Sequence, residues 1–105
     1  MKSLKNREFE EVYKSGKKFY SSFFTLFFLS SQVFKYGLVV SKKHGSSVCR
    51  NKIKRRLKVI IGKIESKLLA PCFIVIIPKR GVASLNFEEL VEKFINTAKR
   101  AKIIH

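Results

Sequence analysis

The sequence predicts a small two-layer α+β sandwich, one domain over residues 1–105, with elements in the order α-β-β-β-α-β-α. Three observations lead there. Ile53, Leu57, Ile60, Ile61, Ile64 and Leu68 recur at helical spacing, as do Phe87, Leu90, Val91, Phe94, Ile95 and Ala98. Phe19–Leu29 and Cys72–Ile77 are apolar on both alternating sides, as strands covered on both faces are. A chain of 105 residues supports one core with little surplus.

Taken in order, Asn6 is the expected N-cap of a first helix, with Glu8 in its opening turn. Phe9, Val12 and Tyr13 share one side of it, and Gly16 is the C′ stop. The aromatic run Phe19–Leu29 follows as a strand, and Tyr36–Ser41 as another. A helix from about Ser47 to Leu69 comes next, with Ser46 or Ser47 as cap and Pro71 marking its end. Cys72–Ile77 is the buried strand, and Pro78-Lys79-Arg80-Gly81 a basic turn. Asn86 caps the last helix, with Glu89 three residues on and a Leu85–Leu90 staple.

The charge is lopsided. Lys and Arg number 23 against 7 acidic residues, a formal net charge of +16, which selects nucleic acid or an anionic membrane as partner. A hydrophobic fraction of 46% excludes a disordered basic tail. No apolar run approaches the roughly 20 residues a membrane-spanning helix needs, and the opening MKSLKNREFEE lacks signal-peptide character. Cys49 and Cys72 stand alone without CxxC spacing, as expected of reduced thiols in a cytoplasmic protein.

The densest charge lies in Lys42–Lys58, KKHGSSVCRNKIKRRLK, which holds eight cations and no acid. With Ile53 at zero on a helical wheel, the apolar stripe centres near 20°, while Lys52, Lys54, Arg55, Arg56 and Lys58 spread from about 100° to about 300°. Like charges one turn apart, Arg50/Lys54 and Lys54/Lys58, weaken a helix. A solvated charge face would intersperse acids, so a polyphosphate ligand is the better reading. Lys42, Lys43 and the free N–H groups of the helix start suit phosphate as well. Asn51 is equipped to bond a base edge, a ribose or a phosphate, and equally the backbone.

Own catalysis has little to stand on. His44 and His105 are the two histidines, and neighbouring Glu10/Glu11 and Glu88/Glu89 diverge by about 100° on their helices. No third group orients a Cys49–His44 pair, and the spacing is not that of a zinc site.

Val40–Lys58 is similar to the pattern V-S-K-K-x-G-x-A-V-x-R-N-R-x-K-R-x-x-R of the protein subunit of bacterial ribonuclease P. LKNREFEEVYKSGK resembles that family's first helix, and VIIPKRGVASLNFEELVEKF its last strand, turn and helix, so the likeness runs from about Leu4 to about Ala98. Lys52 and Lys58 stand where arginines are usual, and Ser47 where Ala is; Lys offers a point charge in place of a bidentate fork.

The resemblance implies an endonuclease subunit that removes the 5′ leader of precursor tRNA, with Mg²⁺ and the hydrolytic chemistry in the RNA subunit and no cofactor on the protein. It implies that Lys42, Lys43, Arg50, Asn51, Lys52, Lys54, Arg55 and Lys58 dock on that RNA. Phe9, Tyr13, Thr25 and Phe27, which read as core by spacing alone, become a cleft for the single-stranded leader, with Lys5 near it to meet a leader phosphate. It also implies a left-handed crossover around the basic helix, against the usual right-handed rule. The competing readings are a ribosomal or ribosome-associated RNA-binding protein of similar fold, and a cationic membrane-surface protein; the second conflicts with Phe and Ile occupying core-type faces.

Overall fold

A computed structural model describes all 105 residues. Its elements are β1 (Lys2–Ser3), α1 (Asn6–Ser15), β2 (Lys17–Tyr20), β3 (Phe24–Ser30), β4 (Lys35–Leu38), α2 (Ser47–Glu65), β5 (Cys72–Pro78) and α3 (Phe87–Arg100). The strands form one sheet in the order β1-β4-β5-β3-β2. β4 and β5 are parallel neighbours joined through α2, whereas β3 runs antiparallel to both β5 and β2.

The strands alternate, so the sheet has two faces with different covers. On one, Phe24, Leu26, Ile74 and Ile76 meet the stripe Ile53, Leu57, Ile60, Ile61 and Ile64 of α2, together with Leu90, Phe94 and Ala98 of α3. Phe24 and Phe94 stack at 4.8 Å between centroids. The apolar stripes read from the sequence are therefore the buried ones. On the other face α1 covers only part of the sheet, enclosing Leu4, Val12, Phe27, Phe73 and Val75.

Several boundaries differ from expectation, each for a local reason. Phe19–Leu29 is not one strand but a hairpin, in which Ser21 Oγ accepts the Phe23 N–H at 3.2 Å and turns the chain without Gly or Pro. Lys5, not Asn6, caps α1, and the Glu8 carboxylate accepts the Lys5 N–H at 2.8 Å. Gly16 ends that helix without a left-handed φ; what excludes a side chain is space, since a Cβ would lie 2.5 Å from the Val12 carbonyl and 2.8 Å from that of Phe28. α2 stops at Glu65, well before Pro71, where Ser66 Oγ donates to the Lys63 carbonyl and Leu68 bridges to Ile104 in the folded-back C-terminus. The two-residue β1, absent from the sequence reading, pairs in parallel with β4. At α2 and α3 the expected caps are present: Ser46 accepts from Cys49 N–H and Asn86 from Glu89 N–H.

Candidate RNA interface

Two surfaces emerge, joined at one end of the sheet. The first is the solvent side of α2. Because the isoleucine stripe anchors the helix, Asn51, Lys52, Lys54, Arg55 and Lys58 are held outward and exposed, and Lys42 and Lys43 are exposed on the preceding 3₁₀ turn. None pairs with a carboxylate: the molecule's one ion pair is Lys35–Glu8, at 2.8 Å. Arg50 is half-buried, and its Nε is enclosed with no hydrogen-bond partner. Arg56 leaves the expected cation arc to donate to the Leu85 carbonyl at 3.0 Å, tying α2 to the turn before α3. Sequence reasoning overlooked Val48 and Val59, which are 79% and 51% exposed among the cations. Val59 falls near 240° on the wheel, opposite the stripe, which was the available signal.

His44 is buried and structural. Its Nδ1 accepts the Ser41 N–H at 3.0 Å and its Nε2 donates to the Pro78 carbonyl at 2.7 Å, partners that select the Nε2-protonated tautomer. The basic turn is thereby pinned to the end of β5. The thiol of Cys49 is half-buried and that of Cys72 buried, both free; burial pushes Cys72 up to about 11, so it is protonated at neutral pH.

The second surface is the sheet face that α1 half covers. Strand register sets its rows. Gly37, Val75, Phe27 and Lys18 form one row across β4, β5, β3 and β2; Ile77, Thr25 and Tyr20 form the next, nearer the His44 end. Phe9 of α1 lies over Gly37, where a Cβ would come within 2.3 Å of the ring. Tyr13 is 44% exposed, 6.2 Å from Phe9 and edge-on to Phe27 at 5.2 Å. Partial burial raises its phenol above the ordinary value, so it is neutral at physiological pH. Phe27 and Thr25 are each only 9% exposed and form floor, whereas Tyr13 and half-buried Phe9 form wall. Lys5 caps α1 from solvent.

Thus the structure brings Phe9, Tyr13 and Phe27 together, with Thr25 in the row beside Phe27. It leaves Lys5 on the α1 end that faces β4, where Leu4 N–H and Glu8 meet Tyr36 and Lys35. Gly37 was missed; a glycine inside an apolar strand is the mark of close approach by another group. No three His, Cys or acidic side chains converge, and no helix is long and apolar enough to cross a membrane.

A family model described as Ribonuclease P matches residues 2–102. The ribonuclease P protein component of Shouchella clausii is 34% identical over 103 residues, covering 95% of this chain and 84% of the relative. That of Streptococcus pneumoniae is 34% identical over 101 residues, covering 94% and 82%. The structure of the Staphylococcus aureus RNase P protein superposes with a TM-score of 0.88 at 27% identity, covering 99% of this chain and 97% of that one. The Thermotoga maritima RNase P protein gives 0.83 at 27% identity, covering 95% and 97%.

Proposed function

This chain belongs to the ribonuclease P protein-component family, and from that premise we propose a division of labour between its two surfaces. The protein is the component of an endoribonuclease that matures the 5′ ends of tRNAs in the cytoplasm. Its partners are the RNA subunit, which carries Mg²⁺ and the phosphodiester hydrolysis, and precursor tRNA. This chain's residues bind and orient.

The docking surface is Lys42, Lys43, Arg50, Asn51, Lys52, Lys54, Arg55 and Lys58. The observation that carries this assignment is a rigid helix whose exposed cations have no carboxylate partner anywhere. Phosphates neutralise what the fold leaves unneutralised, and counterion release drives the association. The cleft of Phe9, Tyr13, Thr25 and Phe27 takes the single-stranded leader, with Lys5 at its margin available to a phosphate. Stacking on aromatic faces tolerates any base, which suits a protein that must accept many leaders.

Copurification tests the reading. The tagged protein should carry one structured RNA of several hundred nucleotides and, with it, cleave precursor tRNA at the mature 5′ end. Ribosomal RNA in its place would support a ribosome-associated protein of this fold.

A further inference from the structure

Tyr20 is an exposed aromatic residue outside the group Phe9, Tyr13 and Phe27. It ends β2, the outer strand, directly opposite Thr25, so its ring sits on the cleft face. The ring is 58% exposed, the most of any aromatic in the chain. Lys18 Nζ lies 5.0 Å from its centroid and 5.3 Å from that of Phe27, bridging the two rings. Lys79 Nζ lies 5.7 Å from the Tyr20 centroid and donates to the Ser21 carbonyl at 2.7 Å. Arg100 of α3 donates to the Tyr20 carbonyl, fixing the backbone beneath the ring. Neither Lys18 nor Lys79 meets a carboxylate.

Tyr20 keeps more than half of its surface in solvent, and its ring is held by two ammonium groups instead of by the core. The two ammonium groups lie over the ring, so an unpaired base that stacks there displaces one of them, and the cation so released is left beside the flanking phosphate. A duplex has no free base face to offer the ring. Position adds a further constraint. Tyr20, the start of β3, the end of β5 and the His44 turn all lie at one end of the sheet, because Tyr20 opposes Thr25, Phe24 opposes Pro78 and His44 bonds the Pro78 carbonyl.

We infer that Tyr20, flanked by Lys18 and Lys79, is a nucleobase platform for one further unpaired nucleotide of the leader. It continues the row Phe9–Tyr13–Phe27 toward the end of the sheet from which α2 departs. The inference rests on the leader-cleft reading and extends it by one base.

The test compares Tyr20→Ala, Tyr20→Phe and Tyr13→Ala in the reconstituted holoenzyme, using precursor tRNA with a leader long enough to fill the cleft, and mature tRNA. Tyr20→Ala should weaken precursor binding by about 5- to 150-fold, the range of one stacked base. Mature tRNA binding should hold, and Tyr20→Phe should retain the wild-type affinity for both. Selective loss with Tyr13→Ala but none with Tyr20→Ala would overturn this inference and leave the cleft standing. No selective loss with either would overturn the cleft itself. Equal weakening of precursor and mature tRNA by Tyr20→Ala would move Tyr20 to another RNA contact and equally reject the platform. Circular dichroism confirms folding, which an exposed side chain leaves intact.

Discussion

Both faces of the sheet are made by the same alternating strands, yet they have opposite fates. Toward α2 and α3 the strands β3 and β5 turn Phe24, Leu26, Ile74 and Ile76, and two long amphipathic helices bury all four. Toward α1 the same strands offer Thr25, Phe27, Phe73 and Val75, and a single ten-residue helix covers part of them. The difference shows how a small protein divides its labour: one face supplies the stability that leaves the other free to stay incompletely covered. Charge follows the same division, because α2 turns its isoleucines to the sealed face and its unpaired cations to solvent.

The sharpest break of this asymmetry is Ile60→Asp. Ile60 is fully buried on the sealed side, and an unpaired carboxylate there should abolish cooperative folding, read as loss of the thermal transition by circular dichroism. A folded variant would mean that face is not the core. Replacing Lys54, Arg55 and Lys58 together by Ala should leave the melting transition in place and sharply weaken binding to the RNA subunit. Each lost phosphate contact contributes about 0.7–0.9 to the dependence of log K on log salt, so the slope should flatten by about 2 to 3. An unchanged slope would place docking elsewhere.

On the open face the effects should be smaller and more selective. Tyr13→Ala should weaken holoenzyme binding to leader-bearing tRNA by about 1–3 kcal/mol and spare mature tRNA. Equal losses would return Tyr13 to a purely structural role. Gly37→Val should cost about 1–3 kcal/mol in denaturant unfolding by driving into the Phe9 ring, and should blunt leader discrimination with it.

The mildest is Glu8→Gln. The Lys35 ammonium and the Lys5 N–H hold the Glu8 carboxyl below its ordinary value. Its contribution is therefore present above the ordinary carboxylate range and lost as pH falls through the lowered one. The variant should be slightly less stable than wild type at neutral pH and equal to it in strong acid; a gap that widens on acidification would contradict the sign.

Helical periodicity and the caps of the two longer helices were legible. Ile53 to Ile64 could be placed on the sealed side because 3.6-residue periodicity is a local property, and Asn86 could be read as a cap because its partner is three residues away. What depended on distant partners was not. His44 looked like part of a basic loop until Pro78 closed on it, and Arg56 looked like a free cation until Leu85 took it. The β2–β3 turn was hidden because Ser21 makes it with a side-chain hydroxyl in place of glycine. The family likeness, rather than periodicity, is what assigned Phe9 and Tyr13 to a wall instead of a core.

Gly37 carries a consequence for how such a chain can change. Its missing side chain is the seat of the Phe9 ring, so the two positions share one volume across a helix and a strand. Neither is free to drift alone. A lineage that enlarges residue 37 must shrink residue 9 at nearly the same time, and the intermediate carries either a collision or a void. Substitutions at these two sites should therefore arrive in pairs among descendants of this sequence. A double exchange, Gly37→Ala with Phe9→Leu, should recover part of what either single exchange loses.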